Sequence, residues 1–143
     1  MRPEAASWMR LARVYGALTH AMGEHLREFG LSPAQFDVLA HVGAAEGRTQ
    51  QELADALLTT KGNVCQLLDR MEATGLLRRE REGRVNRLFL TAAGRRVWRE
   101  VVPAHEAWLA ERFAVLEPGE RAVLARILRR LDHGLAGRLP VSR

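Results

Sequence analysis

The chain has 143 residues, of which 47% are hydrophobic, and this size and apolar content favour one folded domain over a disordered segment. Its formal charge of +5, from 22 basic and 17 acidic residues, favours a polyanionic partner. A single cysteine, Cys65, excludes an intrachain disulfide and a four-cysteine metal site. We expect a cytoplasmic protein without membrane spans, since we find neither a signal-peptide pattern nor an apolar run of about 20 residues.

The amino-terminal part predicts two helices. Over residues 4–29 large apolar side chains follow a three-four spacing that favours packing against another helix, at Trp8, Leu11, Tyr15, Leu18, Met22 and, seven residues later, Phe29, with Leu26 close to this stripe. Gly30 fits a cap at the end of this helix. The second helix begins at Ser32, with Pro33 in its first turn and Gln35 completing a capping box.

Two shorter helices follow with only a few residues between them. Thr49 and Glu52 predict a second capping box, opening a helix to about Leu57. After a turn over residues 58–60, Thr60 caps the next helix, which runs to about Thr74 and ends at Gly75.

The helix after Thr60 has two distinct faces. One is an apolar stripe of Val64, Leu67, Leu68 and Met71. The other carries amide and guanidinium groups, which pair with base edges in a major groove, at Asn63, Gln66 and Arg70. An ordinary surface helix has the same pattern, so the neighbouring segments must decide between the two interpretations.

The segment after this helix is rich in arginine. Residues 78–99 hold eight arginines and two glutamates, a net charge of +6 that leaves −1 for the rest of the chain. Such a local excess is typical of a polyanion site, although a solvated surface remains the alternative in a chain with 21 arginines and one lysine. Within it, residues 76–80 and 87–90 predict two strands joined by a turn at 82–86, with Gly83 at any positive φ.

Two more helices follow the hairpin. Thr91 caps the first, which contains Trp98 and Trp108 and should be kinked by Pro103. The second begins near Glu117-Pro118 and carries an apolar stripe of Leu124, Ile127, Leu128, Leu131 and Leu135, before a tail marked by Gly134, Gly137 and Pro140. The apolar stripes of the terminal helices exceed what the small central unit can cover, which favours a two-fold dimer over a compact monomer whose terminal helices cover each other.

The order of elements predicts a mainly α fold with a small β hairpin. We expect a single domain over residues 1–143, with a winged helix-turn-helix core at about 31–91 and dimerisation helices at 4–29 and 92–138. A dimer of this kind presents two recognition helices, which a pseudo-palindromic site would match.

From about Trp8 to Leu135 the chain resembles the MarR-type (multiple antibiotic resistance regulator) winged-helix transcription factors. The resemblance rests on several segments in order at the family's spacing: residues 31–36, 49–54, 60–64, 68–72, 75–79 and 84–94. It implies a homodimer that binds duplex DNA near promoters, usually as a repressor. It also implies a recognition helix in the major groove, a wing in the minor groove, and small, often phenolic, effectors that release the DNA.

The resemblance assigns residues to each part of a DNA interface. The residues assigned to the major groove are Thr60, Lys61, Gly62, Asn63, Gln66 and Arg70. Gly62 allows close backbone approach, and the amides of Asn63 and Gln66 read bases. Lys61 and Arg70 suit bases or phosphates. Thr49 and Gln50, at a helix start, donate to phosphate. The wing set is Arg84, Asn86 and Arg87.

The wing departs from the family at one position. Where the family usually has Asp-x-Arg, this chain has Glu82-Gly83-Arg84. Arg84 is kept and suits a narrow minor groove, whereas Glu82 is one methylene longer than the aspartate that pairs with this arginine in the family. For Arg78 and Arg79, a role at DNA and a solvated position are equally compatible with the sequence.

Other functions find little support. The chain has no glycine-rich phosphate loop, nucleophile elbow or HExxH motif, so we predict no enzyme, no cofactor and no metal site. Cys65 adjoins an apolar stripe and is interpreted as a packed residue. Trp8, Arg13, Tyr15 and His41 suit a cleft for an aromatic acid or, more commonly, a core. The alternative function is a winged-helix protein-interaction module that binds nucleic acid only nonspecifically.

Overall fold

This computed structural model describes residues 1–57 and 59–136 of the chain. Within them it contains six helices and one antiparallel hairpin. The helices are α1 (Pro3–Arg27), α2 (Pro33–Ala44), α3 (Gln50–Ala56), α4 (Lys61–Ala73), α5 (Ala92–Phe113) and α6 (Pro118–Leu135), and the strands are β1 (Leu77–Glu82) and β2 (Val85–Leu90). This order confirms the predicted fold class. The predicted turn position Leu58, the tail positions Gly137 and Pro140, and the end of the predicted 92–138 segment lie outside the described residues. None of the described helices is long and apolar enough to cross a membrane.

Side-chain caps define the helix starts where the sequence predicted them. Ser32 Oγ accepts a hydrogen bond from Gln35 N at 3.1 Å, and Gln35 Oε1 accepts one from Ser32 N at 3.0 Å, which completes a capping box. The hydroxyls of Thr49, Thr60 and Thr91 each accept the backbone N–H three residues later. At Thr49 only this half of the predicted box forms among the described residues.

The hairpin is longer and its turn tighter than predicted. The strands pair from Leu77 with Leu90 to Glu82 with Val85, so the turn is Gly83-Arg84 rather than residues 82–86. Gly83 has φ 62°, as expected for a tight reversal. The predicted turn was wrong because the residues at the tip are polar and exposed to solvent. Such residues are compatible with backbone pairing in a strand as well as with a loop.

The winged unit has one apolar core, to which the end of α1, α2, α3, α4, the hairpin and the middle of α5 contribute. The predicted inward residues of the hairpin, Leu77, Leu88 and Leu90, are buried in it. The segment before α3 also pairs with β2, since Gly47 N donates to Leu88 O at 2.8 Å and Leu88 N donates to Arg48 O at 2.9 Å. β2 thus pairs with β1 on one side and with the segment before α3 on the other. Pro103 lies inside α5, which continues from Ala92 to Phe113.

The apolar faces of α1 and α6 are exposed. Tyr15 on α1 is 72% exposed and Leu131 on α6 is 50% exposed, and α6 has no buried residue at all. In the described chain the terminal helices therefore do not cover each other's apolar faces, as the compact-monomer alternative required. Exposed large side chains on these two helices are Trp8, Met9, Leu11, Val14, Tyr15, Val123, Ile127, Leu128, Leu131 and Leu135.

An aromatic cluster joins α1, α2 and α5 at the edge of the core. His25 and His105 both stack on Trp108, with ring centroids 5.4 and 5.9 Å away, and Phe36 lies 4.3 Å from His105. His25 Nε2 and His105 Nδ1 are buried without a hydrogen-bond partner among the described residues. Burial, and then the neighbouring His25, lower the pKa of His105 below its ordinary value of 6.5.

We expect this cluster to make the protein less stable in mild acid. As the pH falls through 6.5, the unfolded chain takes up a proton at His105 that the folded chain does not, so the free energy of unfolding decreases until the lower folded pKa is reached. Urea unfolding of the wild type and of His105→Phe between about pH 8 and pH 5 measures this. The substitution should flatten the pH dependence, whereas His20→Gln, at an exposed position on α1, should not. Equal slopes in His105→Phe and the wild type would contradict the expectation.

Candidate nucleic-acid interface

One face of α4 is exposed and polar. Val64, Leu68 and Met71 are buried against the core, which turns the opposite side of the helix to solvent. The predicted major-groove residues Gly62, Asn63, Gln66 and Arg70 are exposed away from this buried face, and Lys61 is exposed as the first residue of the helix. Within the described chain the side chains of Lys61, Gln66 and Arg70 make no hydrogen bond, so their donors are available to a ligand.

The start of α4 is held by two threonines. Thr60 Oγ1 accepts from Asn63 N at 3.1 Å, and Asn63 Nδ2 donates to Thr59 Oγ1 at 3.4 Å. Thr60 therefore has a local role as the cap of the helix. The second bond is long and its atoms are exposed, so it would yield readily to a base edge.

The two predicted phosphate ligands at the start of α3 differ. Thr49 is partly exposed and its hydroxyl caps the helix. Gln50 is only 4% exposed, and its Oε1 accepts a hydrogen bond from Arg79 Nη1 at 3.4 Å. The side-chain amide of Gln50 is therefore turned inward toward the wing and does not face a phosphate. Donation to phosphate from the backbone at this helix start stays a prediction.

The wing arginines separate into two kinds. Arg87 is partly buried, with Nε 2.6 Å from Glu82 Oε2 and Nη1 donating to Gly47 O at 2.8 Å, so it fastens β2 to the segment before α3. Arg84 stands exposed at the tip and has no ion pair among the described residues, because Glu82 pairs with Arg87. Asn86 is partly exposed. Of the three predicted wing residues, Arg84 is thus the most accessible.

The structure distinguishes Arg78 from Arg79, which the sequence left equal. The exposed Arg78 pairs with Glu80, and its guanidinium lies 4.6 Å from the Phe89 ring centroid. Arg79 points inward to Asp69 and Glu72 on α4. These two carboxylates are therefore partners of the wing rather than independent surface charges.

Glu46 is a residue that the sequence analysis missed. Its Oε1 accepts from Leu90 N at 2.9 Å, and both of its carboxylate oxygens lie 2.9 Å from Arg95 Nη2. The hydrogen bond from Leu90, and then the bond and charge of Arg95, lower the pKa of Glu46 below its ordinary value. Glu46 thus anchors the base of the wing, but a lone glutamate in a short loop has no sequence signal for this role.

The remaining candidates show no catalytic or metal-binding arrangement. Cys65 is partly buried with Sγ 3.9 Å from Arg79 Nη1, consistent with a packed residue. Across residues 1–57 and 59–136, no group of three or more histidine, cysteine, aspartate or glutamate side chains could hold a metal ion. Of the effector candidates, Trp8, Arg13 and Tyr15 are exposed on α1, so none of these three lies in an enclosed cleft of one chain.

Comparison with known proteins gives consistent matches. A model of the MarR family matches residues 29–87. An uncharacterized HTH-type transcriptional regulator of Bacillus cereus is 30% identical over 122 residues, which are 85% of this chain and 83% of that protein. The structure of AbsC, a MarR family transcriptional regulator from Streptomyces coelicolor, superposes with a TM-score of 0.86 and 28% identity, covering 96% of this chain and 97% of AbsC. Streptococcus pneumoniae FabT, solved in complex with DNA, has a TM-score of 0.76 and 24% identity, covering 92% and 96% of the two chains.

Proposed function

Because the chain belongs to the MarR family and is a DNA-binding transcriptional regulator, we propose that it recognises a specific operator as a homodimer and represses transcription there. The observation that supports this best is the exposed polar face of α4, with Asn63, Gln66 and Arg70 opposite a face buried in the core. A helix so presented fits the major groove of duplex DNA. We propose no catalytic activity, cofactor or metal.

We divide the proposed contacts by their chemistry. Asn63 and Gln66 have amides that read base edges, with adenine the preferred partner of such a side chain. Lys61 and Arg70 hold phosphates or guanine, and Gly62 lets the backbone approach the DNA because nothing lies within 4 Å of the place a Cβ would occupy. Arg84 enters the minor groove from the tip of the wing. Thr49 donates to a phosphate at the start of α3, and Asn86 contacts DNA beside Arg84 in the wing.

The exposed apolar faces of α1 and α6 support the homodimer. A water-exposed stripe of this size on two helices is typical of an interface rather than of a free surface. Two-fold pairing through these helices would present two copies of α4 to DNA, matching half-sites about 34–36 Å apart. The dimer thereby accounts for both the apolar helices and the need for two recognition helices.

We further propose that a small aromatic or phenolic ligand releases the DNA. Support comes from the family resemblance and from Trp8 and Tyr15, which are exposed seven residues apart on one side of α1, where a second copy would cover them. Arg13 is also exposed on this helix. Such side chains suit an aromatic acid once a partner encloses them. We also propose that the regulator acts in the cytoplasm, since it must reach the DNA that it controls.

The test of this proposal is loss of sequence-specific binding when the α4 amides are removed. A binding site is first selected from random duplexes with the wild-type protein, and fluorescence anisotropy then compares it with a scrambled duplex. Asn63→Ala and Gln66→Ala should each weaken binding to the selected site by roughly tenfold or more, since a good amide–base pair is worth about 1–3 kcal/mol. Binding to the scrambled duplex should change little.

A matched control removes an exposed amide elsewhere. Gln51→Ala deletes the amide on α3 whose Nε2 donates to Asp55 at 2.9 Å, and it should leave sequence preference unchanged. If the wild-type protein selects no site and binds every duplex equally, with steep salt dependence, the repressor proposal fails. The protein-interaction alternative would then be favoured.

A further inference from the structure

Arg79 is a partly buried arginine in the basic wing. Its side chain is 16% exposed, whereas that of Arg78, the preceding residue on β1, is 49% exposed. Nη2 contacts Asp69 and lies 3.2 Å from Glu72 Oε1, and Nε lies 3.4 Å from Glu72 Oε2. Nη1 donates to Gln50 Oε1 at 3.4 Å. One guanidinium thus contacts α3 and α4 from its place on β1.

The backbone reinforces the same connection. Arg79 N donates to Glu72 Oε2 at 3.2 Å, so Glu72 accepts both the main chain and the side chain of this one strand residue. We call Arg79, Asp69, Glu72 and Gln50 the β1–α4 clasp. Only arginine has planar, fork-like donors that can serve two carboxylates and an amide together.

The charge of Arg79 is used within the protein. Burial lowers its pKa, but the hydrogen bonds and charges of Glu72 and Asp69 raise it by more, so the net shift is upward. A cation neutralised by two carboxylates adds little to the attraction of phosphates. The clasp instead connects the two elements that must reach DNA together, the recognition helix α4 and the wing.

We propose that Arg79 is a positioning residue that sets the place of the wing relative to α4 and thereby determines sequence discrimination without touching DNA. This inference rests on the proposed function as a sequence-specific regulator. The wing tip lies several residues beyond Arg79. A small rotation of β1 relative to α4 would therefore move Arg84 away from the minor groove while α4 occupies the major groove. Binding would then retain phosphate attraction but lose part of its preference for the operator.

Arg78 provides a matched comparison for the test. Arg78→Gln and Arg79→Gln remove the same charge from adjacent positions on one strand, and affinity is measured for the selected and the scrambled duplex at two salt concentrations. Arg78→Gln should weaken both complexes by the same factor. Arg79→Gln should in addition lower the ratio of the two affinities by roughly tenfold, the scale of one disrupted base contact.

Glu72→Gln separates positioning from electrostatics, because it makes the protein more positive. Simple charge attraction predicts stronger binding to both duplexes, whereas loss of the clasp predicts a smaller ratio of specific to nonspecific affinity. Melting curves accompany each variant. If Arg79→Gln does not fold, Arg79→Lys, which keeps the charge but lacks the fork, replaces it and should show the same loss of ratio.

The outcomes distinguish this inference from the proposed function. If the wild type shows no sequence preference, the proposed function fails and the inference fails with it. If the wild type discriminates, and folded Arg79 and Glu72 variants discriminate as well as it does, the positioning role alone is overturned. A reduced ratio in both variants, with an unchanged ratio in Arg78→Gln, supports it.

Discussion

We expect Leu131→Glu to convert the proposed homodimer to a monomer and to weaken binding to the selected duplex by about a hundredfold or more, the scale of gain that linking two binding units provides. Leu131 is 50% exposed in the middle of the α6 stripe, so the substitution removes no core contact of the single chain. At a two-fold interface, however, it places two carboxylates in an apolar contact, which is costly. Sedimentation equilibrium and anisotropy with the selected duplex measure the two effects.

Ala122→Glu is the matched control for this experiment. It introduces the same charge on the same helix, but nine residues, or two and a half turns, from Leu131 and therefore on the opposite face. We expect it to remain dimeric and to bind as the wild type does. A dimeric Leu131→Glu would refute the assignment of the α6 stripe to the interface. A monomeric Leu131→Glu with undiminished affinity would refute the need for two recognition helices.

Gly94→Ala will lower the free energy of unfolding by about 3 kcal/mol, the upper part of the range for overpacked positions. Gly94 is buried in the first turn of α5, where an added Cβ would overlap the Leu76 carbonyl oxygen and lie 2.9 Å from its carbon. This carbonyl accepts Thr91 N at 3.2 Å, and Thr91 Oγ1 donates to Gly75 O. Since the obstruction is backbone and already bonded, it cannot turn aside as a flexible side chain would. Urea unfolding at one fixed protein concentration measures the loss.

Gly62→Ala is the comparison for Gly94→Ala. It lies in the first turn of α4 with nothing within 4 Å of the added Cβ, so its stability should change by no more than about 1 kcal/mol, in the stabilising direction. The same variant should weaken DNA binding if the backbone approaches DNA there. Equal unfolding energies for Gly94→Ala and the wild type would show that the α5 start and the turn after α4 adjust freely.

Most of the helical framework was predictable because its determinants are local. The capping box at Ser32, the caps at Thr60 and Thr91 and the stop at Gly75 involve partners within a few residues, so spacing alone identified them. The buried stripe of α4 follows from helical periodicity in the same way. The exposed face that remained, which contains Asn63, Gln66 and Arg70, was therefore predictable too.

The hairpin was only partly predictable from local sequence. The alternation of Leu77, Leu88 and Leu90 with arginines predicted the pair of strands and their inward face, and both are confirmed. The turn length was not predictable, because polar residues at a solvent-exposed tip are compatible with paired strands and with a longer loop. The tighter turn leaves Arg84 at the tip, and Glu82 pairs with Arg87 rather than with Arg84.

By itself, the sequence determined the helices, the hairpin, the apolar stripes and the polar face of α4, since each depends on residues three or four apart or on strand alternation. The tertiary structure alone decided that Gln50 faces inward, that Arg79 is a structural partner of α4 while Arg78 is not, and that Glu46 anchors the wing. The partners in these cases are separated by 29 residues for Gln50 and Arg79, 10 for Asp69 and Arg79, and 49 for Glu46 and Arg95. Adjacent arginines look alike in sequence, but strand alternation sends them to opposite faces, and only the packing of the hairpin shows which face meets the carboxylates.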